Sequence, residues 1–160
     1  MFEQFRGLPL HALVVHAAVV LVPLLVVAGL GYALVPRVRA WIGWAAALLA
    51  VAAPVAAFVA KQSGEDLQEV LVAKHYPPEI LGQVAEHQRY GDLTMWFSFG
   101  LAVTTGLLLV VTSQNPRVAR LPSWVRLALT AGVVVFGLLS AVYVALTGES
   151  GAKAVWTGVL

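Results

Sequence analysis

The chain has 160 residues, of which 60% are hydrophobic and 11% charged, whereas an ordinary soluble domain carries about 25% charged residues; this excludes a water-soluble globular fold. There is no cysteine, which excludes disulfides, zinc-thiolate sites, iron-sulfur clusters and thiol nucleophiles. The net charge of +2 is small and dispersed, so no basic surface for nucleic acid is present.

The first apolar run, Leu8 to Val35, is interrupted only by His11 and His16. It is too long for the apolar region of a cleavable signal, and Glu3 opposes Arg6 ahead of it, so it is expected to stay in the mature chain. Pro36, Arg37 and Arg39 end it. Trp41 to Ala60 follows without a charge, then a polar segment over 61–92 that contains Pro77 and Pro78. Leu93 to Thr112 is equally free of charge; Ser113, Gln114, Asn115 and Pro116 close it, and Leu127 to Thr147 is the last run. A membrane-spanning helix needs about 20 apolar residues. The expectation is one all-α domain over 1–160: an integral membrane four-helix bundle with spans at about 8–35, 41–60, 93–112 and 127–147.

Short cytoplasmic loops retain Lys and Arg. Arg37, Arg39, Arg117, Arg120 and Arg126 fall at one end of the bundle with no acid among them, while all eight acids fall at the other with the remaining basic residues. Both termini are therefore expected to be extracytoplasmic. Trp41, Trp44 and Trp124 fit an interfacial belt. Pro23 and Pro54 bend their spans, and Ala46, Ala50, Ala53, Ala57, Gly100, Gly132 and Gly137 let helices approach closely.

Measuring outward from the cytoplasmic end at ~1.5 Å per residue puts polar groups of four helices at similar heights. His16 comes near the outer boundary and His11 roughly 7 Å beyond it; Glu65 and Glu69 stand roughly 7 to 13 Å above that boundary, His87 roughly 9 Å above it, and Glu149 just outside. The helices thus extend into a polar cap. Glu65 and Glu69, four apart, share one helical face, whereas His11 and His16 diverge by about 140° and cannot both reach one small ion. One of them with His87, Glu65 and Glu69, and Glu149 in reserve, makes a donor set suited to zinc, copper, iron or manganese. Facing helices of a bundle are a known frame for such a site. Other readings stay open: Glu65, Asp66 and Glu69 as a solvated face, His11 and His16 as histidines bonded to neighbouring helices, and His75, before Tyr76 and Pro77, as an exposed turn residue.

Gly7-Leu8-Pro9-Leu10-His11-Ala12-Leu13-Val14-Val15-His16, Ser63-Gly64-Glu65-Asp66-Leu67-Gln68-Glu69, Glu86-His87-Gln88-Arg89-Tyr90-Gly91-Asp92 and Gly148-Glu149-Ser150-Gly151-Ala152-Lys153-Ala154-Val155-Trp156 resemble the motifs of a bacterial membrane protein family, domain of unknown function 2231. The resemblance covers essentially the whole chain. It implies four membrane helices in a bacterial cytoplasmic membrane. Some members are joined to Rieske-type iron-sulfur domains, which implies respiratory electron transfer or haem. Members often carry His where this chain has Glu149.

The leading expectation is a metal-binding membrane protein acting in metal handling or a redox step. The first alternative is a b-type cytochrome, in which His16 or His11 and His87 ligate one haem from opposite helices. The second is a cofactor-free assembly subunit. Partners expected are the lipid bilayer, a respiratory or redox protein and further copies of the chain. Catalysis is left open, since a metal with an open position can activate water, but no nucleophile-base pair or phosphate loop occurs.

Overall fold

The fold is described from a computed structural model, which covers residues 4–5, 8–113 and 121–156. Glu3, Arg6, Arg117, Arg120 and the Gln114-Asn115-Pro116 break lie outside the described residues. Two short strands, β1 (Gln4–Phe5) and β2 (Leu8–Pro9), pair antiparallel before the first helix. Then come α1 (Leu10–Leu34), a 3-10 turn at Pro36–Val38, α2 (Arg39–Ala73), α3 (Pro78–Val111) and α4 (Ser123–Trp156). All four helices are long and apolar enough to cross a membrane.

Helix runs through most of the polar segment. The stretch from Lys61 to Ala73 continues α2, and α3 already starts at Pro78. At ~1.5 Å per residue the 35 residues of α2 reach ~52 Å, well past the ~30 Å hydrocarbon thickness. What stops α2 is local. His75 takes φ 56, the left-handed conformation that closes helices. From there the His75 amide donates to the Val72 carbonyl at 3.0 Å and the Tyr76 amide to the Leu71 carbonyl at 3.2 Å, satisfying carbonyls that the helix end would leave orphaned. Pro77, extended at φ -56 and ψ 144, and Pro78 in the first turn then start α3.

Each helix packs on its sequence neighbour and α4 returns to α1, so α1 and α3 face each other across the bundle. Val22, Leu25, Ala53, Leu101, Leu108 and Val133 are fully buried between them. Along α2 the buried side is a ladder of small residues, Ala46, Ala53, Ala57, Ala60 and then Ser63, which lets neighbouring backbones come close. Val27, Leu48, Val51 and Leu127 point outward at 61–71% exposure, as side chains facing lipid do. Trp41, Trp44 and Trp124 are likewise on the outside.

Near Pro36, Arg39 caps α1. Its Nε donates to the Tyr32 carbonyl at 2.8 Å and a terminal nitrogen to the Ala33 carbonyl at 3.1 Å, taking up carbonyls with no helical partner. The Tyr32 hydroxyl reaches Thr112 Oγ1 at 2.7 Å and joins α1 to the end of α3. At the opposite end Thr94 and Thr147, their hydroxyls 2.8 Å apart, join α3 to α4.

Candidate metal centre

Two helices that do not adjoin in sequence each carry one histidine into the bundle. His11 lies in the first turn of α1, and His87 three turns into α3. Their ring centroids are 6.1 Å apart and their planes cross at 80°.

Each ring is held in the same way. His11 Nδ1 lies 3.1 Å from the Ala60 carbonyl and 3.1 Å from Ser63 Oγ on α2. His87 Nδ1 lies 3.1 Å from the Thr147 carbonyl and 3.1 Å from Ser150 Oγ on α4. A carbonyl oxygen can only accept, so Nδ1 carries the proton in both rings and each Nε2 keeps its lone pair. Both serines also donate to the carbonyl that their histidine uses, at 2.9 Å for Ser63 and 3.1 Å for Ser150. Among the described residues neither Nε2 has a hydrogen-bond partner. Tying one imidazole nitrogen to a carbonyl orients the ring and raises the basicity of the other, which is how metal-ligating histidines are commonly prepared.

A glycine follows each serine. A Cβ on Gly64 would stand 3.0 Å from His11 Cε1, and one on Gly151 would stand 2.9 Å from His87 Cε1. A side chain at Gly151 would force a shift of His87, and one at Gly64 would press on His11 more tightly than ordinary van der Waals contact. The arrangement is therefore a duplicated device: a histidine from one helix laid against a Ser-Gly pair on the next, once in α1–α2 and once in α3–α4.

The remaining candidates lie elsewhere. His16 is exposed, and its Nδ1 bonds the Ala12 carbonyl of its own helix at 2.6 Å. Glu65 pairs with Lys61 one turn earlier on α2, and the same lysine lies 3.6 Å from Asp92 on α3. Glu69 is exposed and borders a surface groove with Gln62, Glu65 and Asp66. Glu149 is exposed and pairs with Lys153 at 2.7 Å. Among the described residues, no three His, Asp or Glu side chains converge as a metal-binding group. Of the expected set, the structure brings together His11 and His87 alone. His75 is exposed in its turn.

The residues that sequence reasoning left without a role here are Ser63, Gly64, Ser150 and Gly151. Their signal was present. The Ser-Gly pair recurs at 63–64 and 150–151, each downstream of a histidine. The small-residue ladder of α2, extended by one turn from Ala60, also lands on Gly64 rather than on Glu65.

Four long apolar helices around a buried seam, with paired imidazoles at one end, define a multi-span all-α membrane protein. The chain matches the family described as "Predicted membrane protein (DUF2231)" over residues 7–160 and belongs to it. No curated protein matches the chain. No solved structure matches it either.

Proposed function

We propose that this protein holds one transition-metal ion between His11 and His87 at the extracytoplasmic end of its bundle, for a redox step or metal handling at the outer membrane face. The observation that carries this reading is the pair of imidazoles, each fixed by a protonated Nδ1 that donates to a carbonyl and lies against a serine hydroxyl, with ring centroids 6.1 Å apart. Two separate helices supply the same preparation to one small region.

The orientation belongs to the same reading. The acid-free arginines mark the cytoplasmic side, so the helix extensions and the histidine pair stand on the other. Each imidazole offers an Nε2 lone pair for which protons compete, so bound metal is expected to be lost as the pH falls through the histidine range.

Elemental analysis of protein purified from membranes without added metal tests the centre. The account expects about one transition-metal ion per chain, lost in His11→Ala and in His87→Ala. Metal-free protein, or content unchanged in both variants, overturns it. Because the chain lacks cysteine, Lys74→Cys gives a single thiol in the α2–α3 turn. A membrane-impermeant maleimide added to intact spheroplasts labels it if that turn is extracytoplasmic; labelling only after lysis reverses the orientation.

A further inference from the structure

We infer that the groove between α3 and α4, at the histidine end of the bundle, binds the headgroup of phosphatidylethanolamine, with its ammonium between Glu86 and Glu149 and its phosphate on Lys153.

The duplicated device sets an internal register that points to this groove. Laying His87 on His11, and Ser150-Gly151 on Ser63-Gly64, superposes α3 on α1 and α4 on α2. Buried positions then coincide: Leu101 falls on Leu25, Ala102 on Val26, Val133 on Ala46 and Ser140 on Ala53. The two hairpins follow one pattern, so the places where they part mark what the second hairpin adds. Four of these departures are Glu86, Tyr90, Glu149 and Lys153, which fall on Leu10, Val14, Gln62 and Asp66 of the first hairpin. All four line one groove of about 310 Å³.

The lining carries both signs of charge. Glu149 pairs with Lys153 at 2.7 Å, and the Tyr90 hydroxyl donates to Glu86 Oε1 at 3.3 Å. Gln83 adds an amide and Leu146 an apolar surface. Both members of the Glu149–Lys153 pair are exposed, and an exposed pair is weak enough for a ligand to open. Two carboxylates and one ammonium around a single space match a ligand that carries an ammonium and a phosphate on a short link. A primary ammonium has three N–H donors for the carboxylates, and a quaternary one has none.

Height selects the membrane as the source of that ligand. The apolar runs end at Leu93 and Thr147. At ~1.5 Å per residue, Leu146 and Tyr90 lie within ~5 Å of that level and Glu149, Lys153 and Glu86 stand ~3–10 Å above it. The headgroup layer occupies the ~5–7 Å next to the hydrocarbon. Below Tyr90 the same seam continues in aromatic rings, with Tyr143 6.4 Å from Tyr90 and 5.1 Å from Phe97, centroid to centroid. They give an acyl chain a surface to follow into the apolar span. Ser150 lines the groove and also holds His87, so the headgroup sits one side chain away from that imidazole.

The test is native mass spectrometry of the full chain, released from micelles that contain equal amounts of phosphatidylethanolamine, phosphatidylcholine and phosphatidylglycerol. The expected result is one phosphatidylethanolamine retained per chain at about tenfold preference over each other lipid. The combined Glu86→Gln, Glu149→Gln variant and Lys153→Gln each abolish the preference with helical circular dichroism unchanged, whereas Asp66→Asn, at the matching place on the first hairpin, keeps it. Equal retention of the three lipids, preference for phosphatidylglycerol, preference surviving in the Glu86/Glu149 variant, or equal loss in Asp66→Asn overturns the site. Soluble ethanolamine phosphate that displaces the lipid at equal concentration overturns the membrane as its source.

Discussion

The interior histidines and the acidic side chains around them stand at nearly the same height and are held in opposite ways. His11 and His87 bond groups on neighbouring helices, 49 to 63 positions away in sequence. Glu65 and Glu149 pair with lysines one turn away on their own helices. A local ion pair on a rim constrains little, since exposed pairs are worth at most about 1 kcal/mol. An interhelical clamp fixes where a ring sits relative to the whole bundle. The difference teaches that a shared height assembles candidates, while the direction from which each side chain is held selects the site.

The sharpest way to break this comparison is to crowd the clamps. Gly64→Val or Gly151→Val puts a side chain where even a Cβ would be within 3.0 Å of an imidazole carbon. Neither change weakens a helix, because glycine is the poorer helix former. Metal content is expected to fall more than tenfold while the helical circular dichroism and detergent-solubilised size stay unchanged. Full occupancy in both variants would show that the rings are not held where the glycines require.

A smaller effect separates the two clamp components. Ser63→Ala and Ser150→Ala each remove a hydroxyl and leave the carbonyl bond, a loss of about 1 kcal/mol per hydrogen bond, or roughly fivefold in affinity. Both are expected to keep the metal and to shift its midpoint potential. A serine acting only in helix packing would leave the potential unmoved.

The smallest expected change is at the far end of α2. His75 carries a left-handed backbone, φ 56, that glycine adopts without strain, so His75→Gly should be neutral or stabilising by up to about 1 kcal/mol and leave metal content untouched. Thermal unfolding with metal analysis in parallel checks both statements. Loss of metal here would bring the turn histidine into the site.

The spans were legible because lipid imposes a simple demand, about 20 apolar residues in a row, and the four runs meet it without ambiguity. Helix ends were less so. Leu8 and Pro9 read as part of the first span but form β2, and the polar segment after Ala60 hid the continuation of α2, because polarity marks where a helix leaves lipid and not where it stops. Height put histidines 11 and 87 among the candidates together with His16 and the carboxylates. Height carries no azimuth, however, and at 100° per residue Glu65 and Glu69 lie about 160° and 120° around α2 from the buried Ser63. Taking that inward-facing serine as the reference for α2 would have pointed away from the carboxylates.

The central claim is that His11 and His87, and not His16 or the carboxylates, hold the metal. Bound metal measured side by side in His11→Ala, His87→Ala, His16→Ala and the combined Glu65→Gln, Glu69→Gln, Glu149→Gln variant tests it most directly. The account predicts that the first two lose the metal and the last two keep it at the parental level. Metal retained without His11 or His87, or lost without His16 or the three carboxylates, would contradict it.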